Sequence, residues 1–433
     1  MRIKRFLAVL LCVFSLSSLC GCDLFSTEND QLLVAPQLTG ELRPIIKALE
    51  SRIGQNYILR YPSGGDRKSA VVLKDINDDG KDEAFAFYST NDSDMHLCMI
   101  IRSNNGWNCV DERKLTAGGV ERIDFFDIDE DGVEEILVGW EIHGTSEKQL
   151  AVYSFKNKKL KLMLLQKYTA YKCCDLDEDG KGEIFIQLLN PTESSNRAYL
   201  FVKDGDELVE FSSCAMDRNV KSIISQTVSL LSSGQYAVYV DELKSAGAVT
   251  EVFYLTQGKL VNPLLDTTSG ENLKTERAAT LVCRDVNHDE LLEIPVSEEI
   301  LSVTGSTEKC YYTKWCTFNG ENLTTQVTHL INQNDGFYLV LPEKWVGNIA
   351  VYHDTEKRIR RFYNIDDSGA PAELFAELRI VDPVVWENPD YSKSGLQEIC
   401  RNEKNIIVGA VYDNSGKISI NIDELKKIIY IIE

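Results

Sequence analysis

Asp75, Asn77, Asp79 and Glu83 stand at positions 1, 3, 5 and 9 of the run D-I-N-D-D-G-K-D-E. The same alternation of oxygen-bearing side chains returns at Asp127, Asp129, Asp131 and Glu135 in D-I-D-E-D-G-V-E-E. It returns again at Asp175, Asp177, Asp179 and Glu183 in D-L-D-E-D-G-K-G-E. Alternating residues on a tight loop can turn several oxygens inward, as a hard cation such as Ca²⁺ requires. The backbone carbonyls of Lys81, Val133 and Lys181 at position 7 offer one further donor each. Gly80, Gly132 and Gly180 fill position 6, where the chain must turn sharply. A fainter copy, D-V-N-H-D-E-L-L-E, begins at Asp285; Glu290 replaces the glycine there, so this loop is expected to hold a cation less well. The same letters also permit a metal-free reading, in which the first Asp caps its own loop amides as an Asx-type turn.

What surrounds the loops decides their type. An EF-hand needs a bidentate Glu at position 12 and a helix on each side. Position 12 is Ala86, Val138 or Ile186, and the following runs E-A-F-A-F-Y, E-I-L-V-G-W and E-I-F-I-Q-L-L are rich in strand formers. The loops are therefore strand–loop–strand units. Their glycines are spaced 52 and 48 residues apart, and Glu290 follows Gly180 by 110, which is two periods. A copy stripped of carboxylates fills the gap in V-S-L-L-S-S-G-Q-Y-A-V-Y-V, with Gly234 at the turn and Ser229, Leu231, Ser233 and Ala237 at the ligand positions. Five units of this length, each with room for four strands, read as propeller blades.

The D-x-D/N-x-D-G-x-x-E phrases followed by apolar strands resemble the FG-GAP/VCBS-type repeats of β-propeller proteins, over roughly residues 60–330. The resemblance implies a propeller and structural Ca²⁺ in the intact loops, but no particular activity, because such folds host many functions. The expected fold is mainly β: a β-propeller of about five blades (57–332) with calcium-type loops, plus a small C-terminal α+β domain (333–433).

Residues 1–22 carry Arg2, Lys4 and Arg5 ahead of an apolar stretch and end in Leu19-Cys20-Gly21-Cys22. This is a secretory signal, and its end resembles the lipobox of bacterial lipoproteins. The resemblance implies cleavage before Cys22, a lipid on that residue, and a membrane anchor on the outer face of the bacterial cell membrane. The formal charge is −21, and loss of the three basic signal residues makes it −24. That balance argues against nucleic acid and against binding anionic headgroups by charge. Of twelve cysteines, nine remain beyond Cys22, an odd number in strand-like apolar runs that suits buried free thiols. Cys98 with Cys109 and Cys310 with Cys316 are the pairs that neighbouring strands could bring together.

Residues 23–56 read as a tether followed by an amphipathic helix from Thr39 to Gly54. Its stripe is Leu42, Ile45, Ile46, Leu49 and Ile53, and Thr39 is placed to cap it. Hairpin turns are signalled at Asn105-Gly106, Asn157 and Asp204-Gly205. In the C-terminal part, Asn421 and Glu424 form a capping box. The order G-F-x-L-x-L-P-E-x-W with a late V-x-A-V-Y is similar to a small domain of Gram-positive surface lipoproteins. No G-x-S-x-G, H-E-x-x-H, Walker A or dinucleotide-binding motif occurs. Ser306-Thr307-Glu308-Lys309 matches S-x-x-K without its companion motifs, and the five histidines are dispersed. The function these features favour is a non-enzymatic, lipid-anchored extracytoplasmic protein that binds a protein or glycan. A scaffold subunit of an envelope complex and an envelope- or polysaccharide-acting enzyme are the alternatives.

Overall fold

A computed structural model describes residue 40 and residues 42–90, 94–190, 195–388, 395–413 and 415–432. The signal, Cys22, the tether and the capping position Thr39 lie outside the described residues. The described chain is mainly β, with 52% strand against 6% helix. Among these residues no helix is long and apolar enough to cross a membrane.

The strand that follows each acidic loop carries the architecture. Glu83–Ser89, E-A-F-A-F-Y-S, is buried at every position, as a strand must be when both of its faces are covered. Side chains alternate across a strand, so Phe85 and Phe87 join one hydrophobic cluster while Ala84, Ala86 and Tyr88 join another. The same split places Ile136 and Val138 opposite to Leu137, Ile184 and Ile186 opposite to Phe185, and Val238 and Val240 opposite to Tyr239. Each such strand is the second of an antiparallel sheet built in chain order. The first sheet is Val71–Lys74, Glu83–Ser89, Met95–Ser103 and Gly106–Leu115, with Ile58–Leu59 added beside its second strand. The second is Gly119–Phe126, Glu135–Glu141, Lys148–Lys156 and Lys159–Tyr168. The third is Ala170–Cys174, Glu183–Leu188, Arg197–Asp204 and Glu207–Ala215. The fourth is Ser222–Leu230, Tyr236–Lys244, Gly247–Thr256 and Lys259–Val261. The hairpins turn at the three signalled places, with Gly106, Gly205 and the pair Asn157 and Lys158 at positive φ.

Successive sheets share cores, from Phe87 and Trp140 between the first two to Tyr239 and Phe318 between the fourth and fifth. The helix Arg43–Ile53 lays Ile45, Ile46 and Leu49 on the outer face of the first sheet. Among the described residues no hydrophobic cluster joins the first sheet to the last.

The chain after Asn332 does not part from what precedes it. Phe337–Val340 pairs with Leu323–Asn332, and Ile429–Ile431 pairs with Phe337–Val340. The fifth sheet, with Ile294–Glu299 and Tyr311–Phe318, thus takes up both ends of residues 333–433. Between those ends lie the strands Ile349–Asp354, Ile359–Ile365, Pro371–Val381, Ile406–Val411 and Gln397–Arg401 of a sixth sheet, which Leu301–Ser302 joins at its edge from earlier in the chain. The two sheets share one core around Trp345, Phe337, Phe362 and Phe375. Among the described residues α-helix here is Pro383–Trp386 and Ile422–Lys427, the latter opened by the Asn421–Glu424 capping box, with a 3-10 turn at Glu343–Trp345.

One expectation about the thiols is corrected. Cys98 and Cys109 sit on the paired strands Met95–Ser103 and Gly106–Leu115 and form a disulfide. Cys310 and Cys316 are both free. Cys316 turns to Thr325 on the next strand, whereas Cys310 enters the core shared with the sixth sheet.

Candidate metal centres

The four acidic loops have one backbone course. Positions 4 and 6 are left-handed in each: Asp78 and Gly80, Glu130 and Gly132, Glu178 and Gly180, and His288 and Glu290. The Asp285 loop therefore keeps the turn without its glycine. Position 1 anchors the course, because one carboxylate oxygen accepts the position-6 amide: Gly80 to Asp75 at 2.8 Å, Gly132 to Asp127 at 3.0 Å, Gly180 to Asp175 at 3.1 Å and Glu290 to Asp285 at 2.9 Å. Position 5 accepts from the position-7 amides of Lys81, Val133, Lys181 and Leu291 at 2.8–2.9 Å. The Glu at position 9 opens the buried strand and reaches back to the position-2 amide: Ile76 at 3.2 Å, Ile128 at 2.9 Å, Leu176 at 2.8 Å and Val286 at 2.8 Å. This much is the Asx-turn reading, and every loop satisfies it.

The remaining oxygens go further than a turn needs. Asp175, Asp177, Asp179 and Glu183 each bring one oxygen within 4.8 Å of the others, as do Asp127, Asp129 and Glu135, and Asp285, Asp289 and Glu293. Asp75, Asp79 and Glu83 do not converge to that distance, so Asn77 and its neighbours form the loosest copy, and Asp131 stays outside the second set. The Asp285 set is the reverse case, tighter than its faded sequence suggests. Inside these sets Asp127 Oδ1, Asp129 Oδ1, Asp175 Oδ1 and Glu293 Oε1 are buried with no hydrogen-bond partner. An ionised oxygen in that state is costly. The strain shows in Glu135 and Glu183: burial, and then the neighbouring Asp carboxylates, push both up to about 7 although a backbone amide works against the shift. A cation at the centre would remove that crowding, and the all-oxygen donor sets fit Ca²⁺.

The second loop already has a cation. Lys203, from the third sheet, pairs with Asp129 across the sheet boundary. Among the described residues no cationic side chain pairs with Asp175, and Lys181 only grazes Asp179 at 3.9 Å from an exposed position. The fourth unit lacks the loop altogether. Ser229 pairs directly with Ala237 in the ladder, Leu231 closes a tight turn on Gln235 at 2.7 Å, and Gly234 is left-handed.

The first three loops are also joined in a row. The Glu134 amide donates to the Ile76 carbonyl at 2.7 Å, and the Gly182 amide donates to the Ile128 carbonyl at 2.8 Å. Lys74 and Glu134 add an ion pair at 2.6 Å. Gly182 is required here because a Cβ would run into the Phe126 ring.

A second crowd of carboxylates lies inside the fourth sheet, where no motif announces it. Asp217, Glu242 and Glu251 are fully buried. Glu242 and Glu251 occupy diagonal positions on adjacent strands, since Glu242 pairs with Val249 and Val240 with Glu251. Glu251 accepts from the Asp217 amide at 3.0 Å and Glu242 from Gln187 at 3.1 Å, while Lys244 meets Asp217 at 3.2 Å. The second oxygens of both Glu residues lack a partner. Burial raises the pKa of each, and the Glu251 charge raises Glu242 well above the carboxylate range. The raised values favour a proton shared between them, in the role a metal would have in the loops.

No protein-family model matches this sequence, and no curated protein matches it. Solved structures with similar strand arrangements include rhamnogalacturonan lyase PL11 of Bacillus licheniformis, at 12% identity and a TM-score of 0.31. That match covers 59% of this chain and 65% of the lyase, so the chain spans less than two thirds of it. The exotype rhamnogalacturonan lyase YesX matches at 10% identity and TM-score 0.31 over 73% and 74% of the two chains. The Dos1 propeller matches at 8% and 0.26 over 80% of this chain and 67% of its own. Superpositions at this level fix neither the ring geometry nor an activity for this chain.

Proposed function

We propose that this chain is a calcium-stabilised, propeller-type repeat protein of about five blades. In this reading it is anchored by a lipid on Cys22 to the outer face of a bacterial cell membrane, where it binds a protein or glycan without catalysing a reaction. One observation carries the metal part. Four buried carboxylate oxygens are left without hydrogen-bond partners within the acidic sets of three loops. Asp175, Asp177, Asp179 and Glu183 would hold the best-formed site, with Asp127, Asp129 and Glu135 and then Asp285, Asp289 and Glu293 beside it. The ion would be structural: it neutralises the turn from which each doubly buried strand starts.

Titration calorimetry and thermal melting of the chelator-treated protein test this reading. Calcium should bind and raise the melting temperature; identical melting curves with calcium and chelator, and no heat of binding, would make the loops metal-free turns. Anchoring is tested separately. Cys22→Ala should abolish fatty-acid labelling and release the protein from membranes, and a mature chain beginning at any other residue would overturn it.

A further inference from the structure

A cavity of about 380 Å³ lies between the fifth and sixth sheets, lined by none of the acidic-loop residues, and Arg360 is among its lining residues. On the strand Ile359–Ile365, residues 360, 362 and 364 face inward, and Phe362 and Asn364 are buried as their register demands. Arg360 occupies the same face and is 6% exposed. Its Nε and Nη1 atoms are buried with no hydrogen-bond partner, and the Phe337 ring lies 5.9 Å from the guanidinium carbon; the Cys310 thiol and the Asp335 and Glu308 carboxylates lie near enough to act on its charge. His353, directly opposite in the ladder, also lines the cavity and leaves Nδ1 unpartnered.

The other charges around the cavity are accounted for. Arg358 is held by Asp335 and by Asn405 at 2.8 Å, and Lys309 is held by Glu299 at 2.7 Å. Glu308 is exposed at the rim. The cavity thus offers one unspent guanidinium, whose planar fork matches a carboxylate, in a pocket whose rim carries two acidic groups. With Asp335 paired to Arg358 and Lys309 to Glu299, Arg360 faces the carboxylate of Glu308, so a dianion such as phosphate meets more repulsion than a single carboxylate does. The volume exceeds that of a bare carboxylate, and Asn334 and Thr313 supply polar contacts for a hydroxylated body.

We propose that Arg360 binds the carboxylate of a small monoanionic hydroxy acid, such as a sugar acid, in the cavity between the fifth and sixth sheets. The site stands whether or not the loops take calcium.

Calorimetry of the full chain with D-glucuronate, with glucose as the neutral control and inorganic phosphate as the dianion, tests this assignment. Glucuronate should bind with a Kd on the order of 1 mM or tighter, glucose should not, and phosphate should bind more weakly. Arg360→Met, which keeps the volume, should lose more than ~30-fold in affinity, and Glu308→Gln should gain affinity by removing the competing carboxylate. If Arg360→Met fails to fold, Ala279→Trp fills the mouth and leaves the guanidinium in place; it should abolish binding. The assignment is overturned if no carboxylate binds, if phosphate binds more tightly than glucuronate, or if a folded Arg360→Met or Ala279→Trp protein binds as the parent does.

Discussion

The loops at Asp127 and Asp175 are almost the same phrase, yet they meet different neighbours. In the first, Lys203 of the next sheet sits against Asp129. In the second, four carboxylates converge and nothing of opposite charge reaches their centre. A ligand motif therefore specifies a turn and its oxygens, but the neighbouring sheet decides how much charge is left for a metal. The fourth sheet adds a third solution to the same problem: Lys244 reaches Asp217, and burial raises Glu242 and Glu251 so that a shared proton is favoured.

The largest effect expected from this comparison is the metal's own. At a hundredfold excess of calcium over Kd each independent site adds ~2.7 kcal/mol. Asp175→Ala should remove one such share from the calcium-dependent melting shift, and Asp127→Ala should remove less. Ser229→Ala, in the turn without carboxylates, should leave the shift untouched. Equal losses from the two Asp variants would show that Lys203 does not discriminate between the loops.

The proton-holding pair gives the next effect, and its sign follows from the raised pKa values. The folded state binds the proton more tightly than an unfolded chain does, so the contribution is complete below the ordinary carboxyl range. It falls progressively as pH rises above that range and is gone once pH has passed the raised values, about 7 for Glu251. Melting at alkaline pH should therefore be depressed, and Glu242→Gln should restore about 1–3 kcal/mol there while changing little in acid. A parallel pH profile for parent and variant would rule the pair out as the titrating element.

Lys203→Met sharpens the loop comparison directly. With its resident ammonium gone, the second loop should bind calcium ~10-fold more tightly, or ~1.4 kcal/mol, and should be less stable without it. Unchanged affinity by calorimetry would mean that the lysine yields to the ion at no cost. The smallest effect concerns the Asp285 loop, where Glu290 takes a left-handed backbone at φ 70°. Glu290→Gly should relieve about 1 kcal/mol of that strain, less the freedom that glycine adds to the unfolded chain. Chemical denaturation would register the gain, and a loss would show that the Glu290 side chain holds the loop.

The parts of this molecule that could be read from the chain are those written within a dozen residues. The loops, the apolar strands behind them, the hairpin turns, the helix stripe and the Asn421 capping box are all local patterns, and their physical causes are local too. Lys203 lies more than seventy residues from Asp129, so no spacing rule could have joined them. The Cys98–Cys109 disulfide depended on strand register, which cysteine counting does not supply. The expected boundary at 332 and 333 failed to mark a change of sheet, because Phe337–Val340 and Ile429–Ile431 join the fifth sheet from opposite ends of the last hundred residues. Arg360 sits in R-I-R-R-F-Y-N-I, where three arginines look like a solvated edge. Only the inward register of Phe362 and Asn364 shows which of them is buried. At Asp285 the missing glycine suggested a weaker cation site, and the structure shows that Glu290 nonetheless takes the required left-handed backbone.

The amide-to-carbonyl links from Glu134 to Ile76 and from Gly182 to Ile128 make the first three sheets nearest neighbours in an energetic as well as a spatial sense. In a linear array, stability is a sum of unit terms and interface terms, and these links belong to the interfaces. The row ends at the fourth sheet, whose turn spends its Ser232 amide on Phe318 of the fifth. Opening one member of the first three exposes bonds in its neighbours, so their slowest-exchanging amides should be lost together, as one cooperative block. Across the junction of the third and fourth sheets side-chain bonds take over, Gln187 to Glu242 at 3.1 Å and the Leu260 amide to Ser212 at 2.9 Å, so the backbone-linked block is expected to end there.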